Sequence, residues 1–262
     1  MKHLFADWEK VQNRIRQAQT LFLLLDYDGT LTPIVARPEL ALCPPGVKVL
    51  LEKLRDYPKV LLAIISGRSL EDIRAKVGIS GITYVGNHGL EIENPAGIHR
   101  KRLSQSREQE LKRIKQTLEE RLGPIPGLLF EDKGPILTVH YRQAPPESFG
   151  QVLEKVVEEV VGRWEERWQI TSGKKIWEIR PRMDFSKGKT VRALLRSNPG
   201  PRLLPIYLGD DRSDEDAFQV VTDQGLSIFV GPSSFPSVAH YFLREPSEVH
   251  QFLHRCEEIL RT

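Results

Sequence analysis

Leu21-Phe22-Leu23-Leu24-Leu25 runs without a break into Asp26-Tyr27-Asp28-Gly29-Thr30-Leu31-Thr32, and the reading of that junction decides the fold. A short, uninterrupted apolar run is what a parallel strand buried on both faces requires. In open α/β sheets, ligands bind just beyond the carboxyl ends of such strands. Alternation along an extended chain puts Asp26 and Asp28 on one side and turns Tyr27 away, and Gly29 permits a sharp exit. Two carboxylates delivered together to a crevice suit a divalent cation and phosphoryl chemistry. The plainer alternative is a strand followed by a solvated Asp-Gly turn, a common signal in its own right.

The 262 residues suffice for one large domain or two modest ones, and 40% hydrophobic with 28% charged residues is a globular composition. The longest apolar run is too short to cross a bilayer. Residues 1–19 read as an amphipathic helix carrying Leu4, Trp8, Val11 and Ile15, without the apolar core of a signal peptide. Cys43 and Cys256 lie far apart without ligand spacing, which argues against a disulfide framework or a cysteine-based zinc site and fits a reducing cytoplasm. The net charge of +3 comes from 38 basic and 35 acidic residues. The densest basic cluster, from Arg100 to Lys115, is interleaved with Glu108 and Glu110, as on a solvated helix face. A nucleic-acid surface needs a single-sign stripe. Neither a nucleic acid nor a membrane is therefore expected as a partner.

Outward from the junction, strand and helix signals alternate. Pro44-Pro45-Gly46 opens a helix with Val47, Leu50, Leu51 and Leu54. A second apolar run, 60–65, ends in Ser66-Gly67-Arg68, and Ser69 with Asp72 resembles a capping box that starts the next helix. Tyr84-Val85 leads into Gly86-Asn87-His88-Gly89. This alternation predicts right-handed βαβ units and a parallel sheet. The rhythm then changes: helix 104–121, strands 127–132 and 135–141, helix 145–166, strands 168–171 and 175–179. That order predicts a small antiparallel sheet with two helices. From Lys187 the α/β rhythm resumes, with a helix, a strand at 203–208, a helix at 213–220, a strand at 226–230 and a C-terminal helix. The expected organisation is a discontinuous Rossmann-like core, 1–102 and 181–262, interrupted by an inserted α+β cap at 103–180.

Four sheet ends or helix starts supply compatible groups. Asp26 and Asp28 stand at the first, and Ser66 with the Gly67 backbone at the second. Lys187-Gly188 stands at a helix start, where free N–H groups favour an anion. The fourth, Gly209-Asp210-Asp211-Arg212-Ser213-Asp214-Glu215-Asp216, is unusually acidic. Each has a bland alternative, the acidic run as a complement to a helix dipole among them. Taken in order, these segments resemble the four motifs of haloacid-dehalogenase-type phosphatases. With Gly86 to Gly89, and with Glu131-Asp132-Lys133, 140–145, Gly173-Lys174 and 178–181, the chain resembles more narrowly the trehalose-6-phosphate phosphatase family. Ser213 stands where Thr is usual and is still expected to cap a helix.

The resemblance implies a Mg²⁺-dependent phosphatase that hydrolyses trehalose 6-phosphate through an aspartyl-phosphate. Asp26 would attack phosphorus and Asp28 would act as general acid and base. Ser66 and local backbone N–H groups would hold the transferring oxygens, and Lys187 would help to neutralise charge opposite the metal. The metal set would be Asp26, Asp28 through its carbonyl, and Asp210, with Asp211 and Asp214 orienting from behind. Gly67, Arg68, His88, Glu131, Lys133, Arg142, Lys174 and Glu178 would bind substrate, a disaccharide needing fixed donors and acceptors. Cap closure would exclude water. On residues alone, the charged cap positions favour a cross-strand ion-pair ladder on a solvated sheet face, and His88 suits either a sugar contact or a buried structural role. Phosphatases of sucrose-6-phosphate or mannosyl-3-phosphoglycerate are enzymatic alternatives, and a non-catalytic phosphosugar sensor is a further one. A functional link to a trehalose-6-phosphate synthase is the one protein partnership suggested.

Overall fold

A computed structural model describes residues 1–145, 148–173, 175–200 and 202–261, with 148–153 described by their backbone alone. The chain divides into two compact units, Met1–His99 with Phe185–Thr262, and Arg100–Asp184. In chain order the elements are β1 (Lys2–His3), α1 (Trp8–Gln17), β2 (Thr20–Asp26), α2 (Pro45–Asp56), β3 (Val60–Ile65), α3 (Leu70–Val77), β4 (Thr83–Gly86), β5 (Glu91–Asn94), β6 (Gly97–Arg100), α4 (Gln105–Leu122), β7 (Leu129–Asp132), β8 (Leu137–His140), α5 (Ser148–Gly162), β9 (Trp168–Gly173), β10 (Ile176–Pro181), α6 (Lys187–Ser197), β11 (Leu203–Gly209), α7 (Glu215–Thr222), β12 (Leu226–Val230), β13 (Tyr241–Leu243) and α8 (Pro246–Arg261).

The first unit is built on a nine-stranded sheet in the order β1-β13-β12-β11-β2-β3-β4-β5-β6. Pairing is parallel from β1 through β4, and β5 turns back antiparallel. The continuous apolar runs explain why β2, β3 and β11 lie in its middle: they have two faces to bury. Along β2, Leu21, Leu23 and Leu25 enter one core with α1, α2, α3 and α8, while Phe22 and Leu24 enter another with α6 and α7. The result is the expected α/β architecture, a Rossmann-like sheet between two helical layers. From β2 the chain builds outward to β3 and β4, then returns to the other side of β2 with β11 and β12. The order of connection therefore reverses between β2 and β11, and such a switch point is where open α/β sheets bind ligands.

The second unit holds a four-stranded antiparallel sheet in the order β7-β8-β10-β9, as the strand and helix order predicts. Leu111, Ile114, Leu118 and Leu122 of α4 and Val157, Val160 and Val161 of α5 pack on Leu137, Val139, Trp168, Trp177 and Ile179. The unit extends beyond 103–180 at both ends, where Lys101 Nζ donates to the Asp184 carbonyl at 3.0 Å.

Several local expectations change. Residues 1–19 are not one helix: Lys2–His3 pair with Tyr241–Phe242, Leu4–Asp7 form a 3₁₀ turn, and α1 begins at Trp8. Edge pairing overrides amphipathic spacing there. α5 stops at Gly162, short of 166, and α7 begins at Glu215 after a 3₁₀ turn, Arg212–Asp214. Ser213 does not cap that turn; the Asp211 side chain accepts from the Arg212 backbone, with Asp214 completing a capping box. Strands β5, β6 and β13, of three or four residues each, are additions to the elements expected from the sequence. Among the described residues, no helix is long and apolar enough to cross a membrane.

Candidate active site

Strand register delivers the acids. Leu25 pairs with Leu208 of β11, and Asp26 with Ile65 of β3. Asp26 at the end of β2, Ser66 after β3 and Asp210 after β11 therefore emerge at one edge of the sheet, beside the switch point. The parity that sends Phe22 and Leu24 toward α6 and α7 sends Asp26 the same way. The first residue of α6 is Lys187, whose Nζ donates to Asp26 Oδ1 at 2.7 Å and to Asp214 Oδ1 at 2.7 Å. All three side chains are buried.

Asp214 is fully exposed to donors rather than to water. Besides Lys187, it accepts from the Tyr207 hydroxyl at 2.6 Å and from the backbone N–H groups of Asp210 and Asp211 at 3.1 and 3.0 Å. Burial, with Asp214 beside it, pushes the Tyr207 hydroxyl well above the usual tyrosine range, so it stays protonated and donates. Burial opposes the charge on Lys187, but Asp214 and Asp26 override it and hold the ammonium above the ordinary lysine value. Burial raises the pKa of Asp26; Lys187 pulls it down, Asp214 and Asp210 push it up, and the net direction is up.

The Asp26, Asp210 and Asp214 carboxylates each offer an oxygen within 4.8 Å of the others. A single ammonium bridging two of three buried carboxylates leaves negative charge to compensate, and an all-oxygen donor set fits a hard cation such as Mg²⁺. Because Asp214 already receives four donors, Asp26 and Asp210 are the more suitable ligands. Gly29 belongs to the same construction: its φ of +83° suits glycine, and a Cβ there would collide with the Asp210 carboxylate.

Tyr27 turns away as alternation predicts, and its hydroxyl donates to the Ala41 carbonyl at 2.9 Å. β2 ends at Asp26, however, so alternation does not carry through to Asp28. Arg68 instead holds the Asp28 carboxylate in a two-pronged grip, Nε and Nη2 each at 2.7 Å. Ser66 is buried, and its hydroxyl accepts from the Arg68 backbone at 3.1 Å. The His88 N–H donates to the Ser66 carbonyl at 3.1 Å, tying the ends of β3 and β4 together. The His88 ring lies so close over Gly67 that a Cβ there would meet it at 2.7 Å. Asn87 and His88 hold φ values of 48° and 55°, consecutive left-handed conformations of the kind found where a site imposes its geometry.

In the second unit, Glu131 pairs across with Thr138, and Thr138 with Glu178. Directly opposed residues share a face, so this row lies on the face opposite Val139 and Trp177, which pack on the helices. Lys133 Nζ reaches Glu178 at 3.3 Å and Glu131 at 3.8 Å. His140 Nε2 lies 2.7 Å from Glu131 Oε2, the same oxygen that Lys133 approaches. Arg142 sits exposed in the turn after β8, and Lys174 lies outside the described residues. From sequence, Tyr207 and His140 have no assigned part in the site, and Asp72 reads only as part of a helix cap. Tyr207 lies in an apolar strand-like run that gives no sign of a polar role, and His140 lies in 140–145, one of the segments that carry the family resemblance.

An open parallel sheet whose acids gather at its switch point is the architecture of the haloacid-dehalogenase-like hydrolases. Solved structures agree on the fold: the C-terminal domain of Candida albicans trehalose-6-phosphate phosphatase aligns with a TM-score of 0.81 at 24% identity, covering 95% of this chain and 96% of that one. The family model described as trehalose-phosphatase matches residues 24–247, and the chain belongs to that family of phosphoric monoester hydrolases. A probable trehalose-phosphate phosphatase 4 of Oryza sativa subsp. japonica is 34% identical over 97% of this chain and 70% of its own length. The trehalose-phosphate phosphatase of Mycobacterium tuberculosis (strain H37Rv) is 36% identical over 91% of this chain and 62% of its own length.

Proposed function

We propose that the protein hydrolyses trehalose 6-phosphate to trehalose and inorganic phosphate through an aspartyl-phosphate on Asp26. The observation that carries this reading is the buried Lys187–Asp26–Asp214 assembly at the switch point, beside Asp210. A carboxylate oxygen of Asp26 attacks phosphorus while the bond to the sugar oxygen breaks, and Asp28 gives that oxygen its proton. Water then attacks the same phosphorus, the bond to Asp26 breaks, Asp28 takes the water's proton, and phosphate leaves. Lys187 holds Asp26 in line and neutralises part of the charge gathered there. Mg²⁺, held by Asp26, the Asp28 carbonyl and Asp210, would screen the negative charge between carboxylate and phosphate. Asp211 and Asp214 fix the acidic turn behind it. Ser66 and the Gly67 N–H hold phosphate oxygens.

Recognition of the disaccharide falls to Glu131, Lys133, Arg142, Lys174 and Glu178 of the second unit, acting as a cap, and to His88. The family match and the mixed donor and acceptor row across β7, β8 and β10 support this assignment. The enzyme would act in the cytoplasm, following a synthase that forms the sugar phosphate. The test is phosphate release from trehalose 6-phosphate, sucrose-6-phosphate and mannosyl-3-phosphoglycerate, each with Mg²⁺ and with EDTA. Preferred turnover of trehalose 6-phosphate that EDTA abolishes is expected; comparable turnover of all three, or indifference to EDTA, contradicts the proposal.

A further inference from the structure

Arg68 stands just beyond the end of β3, two residues after Ser66. Its side chain is only 7% exposed. Nε and Nη2 grip the two oxygens of Asp28, Nη1 donates to Asp72 Oδ2 at 2.6 Å, and Nη2 also donates to the Pro38 carbonyl at 2.9 Å. The guanidinium carries five N–H donors in a rigid plane, and these bonds occupy four of them. Its carbon lies 5.6 Å from the centre of the Tyr27 ring, and Tyr27 is itself pinned through its hydroxyl to Ala41. The Ser66 hydroxyl fixes the Arg68 backbone. Every group that anchors the arginine is thus attached to the frame, and its two-pronged end points at Asp28.

We infer that Arg68, anchored by Asp72, the Pro38 carbonyl and the Tyr27 ring, is the positioning residue for Asp28 rather than a ligand of the substrate. Asp28 lies two residues beyond the end of β2 at Asp26, where the sheet no longer fixes its direction, and its side chain is 39% exposed. A proton donor serves only when held within hydrogen-bond reach of the leaving oxygen. A bidentate arginine supplies that orientation, and a lysine in its place would act as a point charge without it. The inference rests on the proton-transfer role proposed above for Asp28.

The two half-reactions separate this role from others. A sugar alkoxide needs a proton as it leaves, whereas p-nitrophenolate does not. With p-nitrophenyl phosphate, phosphorylation of Asp26 therefore survives a misplaced Asp28, while hydrolysis of the phosphoenzyme does not. Arg68→Lys is expected to lower kcat on trehalose 6-phosphate by ~100-fold, with KM changed by less than ~3-fold. On p-nitrophenyl phosphate it should release a burst of nitrophenol close to one equivalent, then turn over slowly. Asp72→Asn leaves Arg68 in place but loosens it, and should show the same pattern at ~10-fold. A rise in KM with kcat unchanged would make Arg68 a substrate ligand and overturn the inference. Wild-type rates in both variants, or equal losses on both substrates without a burst, would overturn it as well. If the wild type turned over no sugar phosphate, the proposed function would fall, while the burst on p-nitrophenyl phosphate would still decide the role of Arg68.

Discussion

The two units place charged side chains by different means. In the first, Asp26, Ser66 and Asp210 stand where strands end, so backbone register sets their spacing, and Lys187 is set by the start of a helix. In the second, Glu131, Lys133 and Glu178 lie on or beside a sheet face and steady one another through ion pairs across strands. Termini of parallel strands bring groups from distant parts of the chain to one edge, which suits bond-making that tolerates little displacement. A row on an antiparallel face spreads donors and acceptors over a wider area, which suits a polyhydroxylated ligand. Chemistry and selectivity should therefore be separable by mutation.

The largest effect that could break this division is at the strand end. Asp26→Asn should lower kcat by at least ~10⁴-fold on every phosphate ester, because it removes the proposed nucleophile. Phosphate-release assays check this, and a variant retaining wild-type turnover would remove the distinction. Next, Lys187→Met leaves Asp26 and Asp214 buried without their shared cation. It should cost about 3–5 kcal/mol of stability, read from urea unfolding of the purified variant. Glu178→Gln should instead raise KM for trehalose 6-phosphate by about 10–100-fold through a lost charged hydrogen bond. Its kcat/KM on p-nitrophenyl phosphate should stay within ~3-fold of wild type. Equal losses on the two substrates would erase the boundary between the units' roles. The smallest effects are the helix caps, one in each unit. Ser69 accepts from the Asp72 N–H at 3.2 Å and Ser104 from the Arg107 N–H at 3.4 Å. Replacing either with Ala should cost about 1 kcal/mol in denaturant unfolding.

Much of the first unit was legible because its strands are continuous apolar runs bounded by chemistry-bearing turns. Leu21 to Leu25 and Val60 to Ile65 had no other plausible burial, and their ends named Asp26 and Ser66. The edge strands were not legible: Tyr241–Leu243 and Lys2–His3 are too short to show alternation, and only their pairing with β12 and with each other makes them strands. The direction of a side chain beyond a strand end was equally hidden. Alternation grouped Asp28 with Asp26, yet β2 stops at Asp26 and Arg68 decides where Asp28 points. A Ser-Gly-Arg motif tells that an arginine follows the strand, not which of its neighbours will consume its donors. Tyr207 illustrates the opposite case, a residue whose apolar surroundings read correctly as core while its hydroxyl quietly supports Asp214.

The claim on which the rest depends is that Asp26 itself carries the phosphoryl group. Acid-quenching the enzyme during turnover of trehalose 6-phosphate, then mapping peptides by mass spectrometry, tests it directly. One phosphoryl group is expected on the peptide containing Asp26, absent from Asp26→Asn and lost on treatment with hydroxylamine. A phosphoryl group on any other residue, or rapid phosphate release with the same label in Asp26→Asn, would contradict it.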